Sequence, residues 1–323
     1  MRILIAGAGG TIGKPLVQTL VREGHQVTGL TRSRGGAEAV NALGGQAVVA
    51  NALDRQALSD AVRTTRPEGV VHLLTAMPKR GPLRGRDLRA TNRLRTEGTA
   101  NLIAACKAAS VGRLVAGSVV FAYGFGDSGE RLRSEADQPQ PAAPLRAMKR
   151  AQEAVLLLEE QVGLAARTDM CTIILRLGAL YGPSVPSSEF MLKMLRWRMM
   201  GLPGGGRGVL PWIEISDAVS AIALALQAGG GTYNIVDEEP VTVRDFLMEM
   251  ARAFDTPRPY ALPYWLGRLT MPFGTHLLGR TVLRLTTAKA TRELGWSPNY
   301  PSYRSGLRHW AKSLGMQGAR PQP

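Results

Sequence analysis

The chain has 323 residues, 45% of them hydrophobic, with 40 Lys+Arg against 25 Asp+Glu and a net charge of +15. That composition excludes wholesale disorder, and the length calls for one large domain or two coupled ones. No apolar stretch approaches the roughly 18 residues of a membrane-spanning helix, so a membrane-spanning protein is not expected.

Strand-like and helix-like segments alternate along the first half. Arg2–Ala6 reads as a strand that starts at the N-terminus with no signal-peptide pattern before it, which makes the cytoplasm the default compartment. Gly13–Gly24 reads as a helix with Leu16, Val17, Leu20 and Val21 on one face. Strands follow at Gln26–Thr31, Ala47–Ala50, Gly69–Thr75, Arg113–Ser118 and Cys171–Leu177. The helical segments between them are Ala37–Leu43, Arg55–Thr65, Arg89–Ser110 and Leu145–Gln161. Such alternation implies right-handed crossovers and a parallel sheet covered on both faces.

After Tyr181 the rhythm changes. A Met-rich amphipathic helix is expected at Phe190–Met200, a strand at Trp212–Ile215, a helix at Ser216–Ala228, a strand at Tyr233–Val236 and a helix at Val241–Phe254. Gln138–Pro144 reads as a loop. The expected fold class is α/β: a Rossmann-type doubly wound parallel sheet with a smaller, mostly helical C-terminal substrate domain. Residues 1–178 form the dinucleotide-binding part, to which 210–236 return; 179–209 and 237–323 form the lid.

Cys106 and Cys171 lie in apolar segments without a CxxC partner, and His25, His72, His276 and His309 are scattered, so no metal site is expected. The positive charge attracts polyanions, but the bases are spread and no Lys/Arg block interleaves with aromatics. Specific nucleic-acid binding is therefore not the first expectation.

The most informative residues come first. Arg2–Ala6 ends in Gly7-Ala8-Gly9-Gly10-Thr11-Ile12-Gly13 and a helix begins. Gly7, Gly10 and Gly13 permit a tight turn, close approach of the backbone to a pyrophosphate, and close helix–strand packing. The helix N-terminus then points free N–H groups at the phosphates. At the end of the second strand, Thr31-Arg32-Ser33-Arg34 holds no Asp or Glu for a ribose 2′-hydroxyl. Arg32 can face a 2′-phosphate instead, which favours NADP over NAD.

With these stretches the chain resembles an extended short-chain dehydrogenase/reductase of the NAD(P)-dependent epimerase/dehydratase family. Val70–Ala76, Thr96–Leu102, Leu175–Pro183, Ile215–Ala218, Thr232–Val236 and Ala288–Pro298 carry the resemblance over nearly the whole length. It implies that Asn51, Ala52 and Leu53 border the adenine, and that Thr75 and Ala76 lie on the ribose and pyrophosphate side. It further implies a small-molecule substrate, such as a nucleotide-sugar or another carbonyl or hydroxyl compound, bound between two domains. A homodimer paired through the 89–110 and 145–161 helices is a common mode of the family.

The family's catalysis uses a Ser/Thr and a Tyr four residues before a Lys. Lys149 matches the Lys and lies near the nicotinamide ribose, but the Tyr position falls on Leu145 and the Ser/Thr position on Val119, one residue after Ser118. No Tyr occurs between Tyr123 and Tyr181. Candidate acid/base groups are therefore Tyr123, Ser118 and Lys149, with Arg176 and Tyr181 as substrate contacts. An ion pair of Arg176 with Asp217 or Glu214 is the plainer alternative. Three readings stand: an NAD(P)-dependent oxidoreductase or epimerase-type enzyme with a non-standard acid/base group, a catalytically silent dinucleotide-binding sensor or assembly module, and an SDR-like RNA-binding protein.

Overall fold

Apolar runs without polar alternation mark strands covered on both faces. Leu4, Ile5, Val70, Val71, Leu114 and Val115 all have zero exposure. A computed structural model describes residues 1–140 and 144–316, so 141–143 of the expected Gln138–Pro144 loop and 317–323 of the expected lid lie outside the described residues.

The first half runs β1 (Arg2–Ala6), α1 (Gly13–Arg22), β2 (Gln26–Thr31), α2 (Arg34–Ala42), β3 (Gln46–Val49), α3 (Arg55–Thr65), β4 (Gly69–His72), α4 (Arg89–Arg93), α5 (Thr99–Ala108), β5 (Arg113–Val119), α6 (Arg146–Ala165) and β6 (Cys171–Leu177). Then come β7 (Ala179–Tyr181), α7 (Pro186–Arg196), β8 (Gly201–Pro203), β9 (Val209–Leu210), β10 (Trp212–Glu214), α8 (Ile215–Ala225) and β11 (Gly231–Ile235). The chain ends with β12 (Val241–Thr242), α9 (Val243–Ala253), β13 (Tyr260–Leu262), α10 (Tyr264–Thr270), α11 (Pro272–Arg280), α12 (Ala288–Leu294) and α13 (Tyr303–Ser313).

Seven strands form a parallel sheet in the order β11-β6-β5-β4-β1-β2-β3. Strand order reverses between β1 and β4, which opens a crevice at their carboxyl ends, where doubly wound sheets bind ligands. Successive residues of β1 point to opposite faces. Ile3 and Ile5 join the core under α1 and α8, and Leu4 and Ala6 join the core under α3, α5 and α6. A third core, built from Tyr181, Trp212, Phe246, Tyr303 and Trp310, holds the C-terminal part. There the rings of Trp212 and Phe246 stack at 3.8 Å.

The structure corrects several boundaries. β4 stops at His72 rather than Thr75, because its partner β5 pairs with it only through Ala116. The expected helix Arg89–Ser110 is split by a π-turn at Leu94–Gly98 and ends at Ala108. α2 starts three residues early, at Arg34, because Ser33 caps it by accepting from Gly36 N. α7 starts at Pro186 because proline suits a first helical turn. Trp212–Glu214 pairs with β7 outside the main sheet, so of the returning segment only β11 joins the sheet.

Candidate active site

The glycine turn sits at the β1/β4 crevice. Gly7 adopts φ +98°, and a Cβ there would lie 2.6 Å from Leu73 O. A Cβ on Gly13 would lie 2.6 Å from Ala8 O and closer still to Gly7 O. These contacts are with backbone and cannot be relieved by a side-chain shift, so both glycines are required for the turn. Gly9 differs: a Cβ there would meet only ordinary contacts with Thr31 and Gly36, at 3.5 Å or more, so protein packing does not demand glycine at that position. α1 has neither a side-chain cap nor an acidic residue in its first turn, and Ile12 holds the cap position with Thr11 just before it. A cradle of bare backbone ahead of an uncapped helix start suits the diphosphate of a dinucleotide.

Around this turn lie the other residues expected at the cofactor. Arg32, Ser33 and Arg34 are exposed at the end of β2, and among the described residues neither arginine makes an ion pair. Asn51 is exposed and its Oδ1 accepts from Leu53 N at 3.1 Å, while Ala52 is buried and its carbonyl accepts from Asn101 Nδ2. Thr75 is exposed just past β4, and Ala76 N donates to Thr91 Oγ1 at 2.9 Å.

The proposed acid/base groups separate. Lys149 sits in the first turn of α6, with 66% of its side chain exposed and Glu153 at 3.9 Å. Leu145, one turn earlier, is the half-buried residue before the helix. Ser118 points away from the cleft: its Oγ donates to Glu159 Oε1 at 2.6 Å. The pleat of β5 directs it onto α6. Tyr123 is 1% exposed, with its hydroxyl 2.9 Å from Ser134 O and 3.0 Å from Asn234 Oδ1. Burial pushes its ionisation up, and its one proton is already held inside the protein.

Of the two expected substrate contacts, Tyr181 is buried and Arg176 half-buried. Tyr181 is fully buried and donates to Asp237 Oδ2 at 2.9 Å, and burial together with that carboxylate raises its pKa. Arg176 is paired, but with neither Asp217 nor Glu214. Its Nε and Nη2 donate to Glu159 Oε1 and Oε2 at 3.0 and 2.7 Å. Burial works against that guanidinium, but the hydrogen bonds and charge of Glu159 more than offset it, so its pKa is raised. Arg176 also lies 4.6 Å over the Tyr123 ring.

Sequence reasoning missed Glu159 because it lies in a helix that reads as amphipathic. It also missed a groove of about 600 Å³ lined by Gly126, Asp127, Pro144, Arg207, His276 and Arg280. Pro144 directly precedes Leu145, so this groove abuts the start of α6. Its two arginines are exposed and charged.

Comparison with known proteins gives the same outline. Residues 3–236 match the NAD dependent epimerase/dehydratase family. A "3-diazoavenalumate denitrifying reductase" from Streptomyces sp is 38% identical over 317 residues, covering 95% of this chain and 99% of the relative. A "2-alkyl-3-oxoalkanoate reductase" from Stenotrophomonas maltophilia is 28% identical over 270 residues, covering 80% of this chain and 77% of the relative. In fold, the chain is similar to UDP-glucose 4-epimerase of Thermotoga maritima, with a TM-score of 0.81 at 20% identity, covering 98% and 99% of the two chains.

Proposed function

The chain belongs to the NAD-dependent epimerase/dehydratase family, and from that premise we propose that it is an NADPH-dependent reductase whose hydride acceptor takes no proton from the protein. The observation that carries this reading is the state of the hydroxyls. Ser118, Tyr123 and Tyr181 all spend their protons on internal acceptors, and the residue one turn before Lys149 is a leucine. Reduction of a ketone leaves an alkoxide that needs an acid. Epimerisation through a ketone needs a base for the sugar hydroxyl as well.

An aryl diazo group has no such need. Hydride adds to its outer nitrogen to give an aryl diazene; the diazene N–H proton is then lost as the C–N bond breaks and dinitrogen leaves, and the ring carbon takes up one proton. Hydride and diazonium thus give arene and dinitrogen with no net proton drawn from the protein. The Streptomyces relative carries both a diazo acid and a denitrifying reduction in its name, and we extend that substrate class, an aryl diazo carboxylic acid, to this chain.

Each residue then has a task. Gly7–Gly13 hold the diphosphate, Arg32 the 2′-phosphate and Lys149 the nicotinamide ribose. Asn51–Leu53 border the adenine, and Thr75 and Ala76 the ribose and pyrophosphate side. The bound dinucleotide supplies the hydride. Arg207 and Arg280, in the groove beside Pro144, draw in the substrate carboxylate. Leu145 gives the reacting centre an apolar wall.

The test is turnover of a carboxylated benzenediazonium salt with NADPH, beside a panel of ketones, aldehydes and UDP-glucose, each against a protein-free control. We expect one NADPH consumed and one dinitrogen released per arene formed, with a rate that is flat through neutral pH and is not raised by Leu145→Tyr. Turnover confined to the carbonyl panel, with a bell-shaped pH profile, would sink this reading.

A further inference from the structure

A buried arginine without a counter-charge stands where β4 ends. Arg95 lies in the π-turn between α4 and α5 and is 7% exposed. Removing a guanidinium from water without an anion is costly, and burial alone pulls the pKa of Arg95 down to about 10. Among the described residues no Asp or Glu pairs with it and its nitrogens make no hydrogen bond. None of those nitrogens, however, is sealed from solvent. A buried arginine whose unpartnered nitrogens keep some residual contact with solvent lines a cavity rather than fills a core.

Its neighbours on the helix fix where that cavity is. Thr99 Oγ1 lies 2.7 Å from Nε2 of His72, the last residue of β4. Thr91 Oγ1 accepts from Ala76 N. Arg95 falls midway between these two threonines, on the helix face they share, and therefore against Leu73–Thr75. From the other side, Gly7 of the phosphate turn backs onto the same stretch, at Leu73 O. π-turns insert an extra residue and concentrate at functional sites; this one places a cation at the carboxyl edge of the sheet. His72 adds no charge there, because burial, and then Arg95 itself, pull it down to about 4.

We propose that Arg95 is an oxyanion-binding residue of the cleft, where its guanidinium takes either a phosphate oxygen of the dinucleotide or the carboxylate of the substrate. The proposal deepens the reductase reading and rests on it for the identity of the cleft.

Calorimetry on the full-length protein and on Arg95→Met and Arg95→Lys separates the two sources. The probes are NADPH, inorganic pyrophosphate, and cinnamate added to protein loaded with NADP⁺. Loss of one charge-assisted contact predicts weakening by about 10- to 100-fold, with the lysine variant in between. If NADPH and pyrophosphate weaken, the anion is the dinucleotide's. If only cinnamate weakens, it is the substrate's. In either case the salt dependence of the affected probe becomes shallower in Arg95→Met, which loss of packing alone does not produce. Affinities for all three probes within about two-fold of wild type, with Arg95→Met as stable or more stable, would overturn the proposal. Uptake of NADPH by the wild type reports separately on the reductase reading.

Discussion

The Arg176–Glu159 pair makes a quantitative prediction about Ser118. The two side chains are 11% and 10% exposed, so solvent screens their attraction little. Glu159→Gln keeps an amide oxygen for one donor but leaves the guanidinium uncompensated. Breaking such a buried pair from one side costs about 3 kcal/mol, at the lower end of the usual range because one hydrogen bond survives. At about 2 °C per kcal/mol for a chain of this size, the midpoint of thermal unfolding falls by about 6 °C. Removing both charges with Glu159→Leu and Arg176→Met together should recover much of that loss, because well-packed apolar replacements leave no orphaned ion. Ser118→Ala removes only one of the three donors to Glu159; it lowers stability by about 1 kcal/mol and leaves turnover per folded molecule unchanged. Calorimetric melts with parallel kinetics check all three variants. A Glu159→Gln protein within about 1 °C of wild type would refute the idea that the pair stabilises, and loss of turnover in a fully folded Ser118→Ala would return that hydroxyl to the chemistry.

Two further outcomes follow from named charges. Arg32→Asp should weaken NADPH by about 10- to 100-fold while NADH changes little, since only the former offers a 2′-phosphate; equal losses would remove Arg32 from the site. Asp237 is buried beside Tyr181, Glu214 and Asp217, and burial raises its carboxyl to about 8 from an ordinary 3.8. A carboxyl raised in the folded state contributes stability that is complete below its unfolded value and is lost as pH climbs through the folded one. Asp237→Asn should therefore gain on wild type in melting temperature between pH 5 and pH 8 and hold a constant offset above that; parallel curves over that window would contradict the assignment.

The sheet was legible because strands buried on both faces write themselves as apolar runs. Ile3–Ala6, Val70-Val71 and Ile173–Leu175 need no tertiary information to be read as strands. The glycine turn was legible because much of its requirement is local: Gly13 clashes with backbone only a few residues away, while Gly7 also meets Leu73 just past β4. What failed was local in sequence but decided at long range. Nothing in Arg89–Ser110 announces a π-turn; it lies between Thr91, which bonds Ala76 N, and Thr99, which bonds His72 at the end of β4. Arg176 found its carboxylate on α6, 17 residues back, rather than at Asp217, whose oxygens are taken by Asn299 and Tyr300. Tyr181 looked like a cleft residue at the end of a conspicuous motif, but the C-terminal core closes over it completely.

That pattern bears on the chemistry. In this family, holding the dinucleotide and moving a proton are tasks of different residues, and they respond to different pressures. Glycines 7 and 13 have no freedom to change, because any side chain there strikes main chain. A hydroxyl donor is constrained only by the acceptor it must serve. When the acceptor needs no proton, a buried carboxylate or carbonyl can take the hydroxyl instead, as Glu159 takes Ser118 and Asp237 takes Tyr181. If the chain is the diazo reductase proposed above, the leucine one turn before Lys149 has a positive use: it would exclude water from a diazo carbon that water otherwise attacks. Under the proposed reading, Leu145 in place of a tyrosine marks a change of electrophile, and NADPH-dependent release of dinitrogen, rather than the hydrogen bonds of Ser118 and Tyr181, separates a diazo reductase from a silent binder of the same coenzyme.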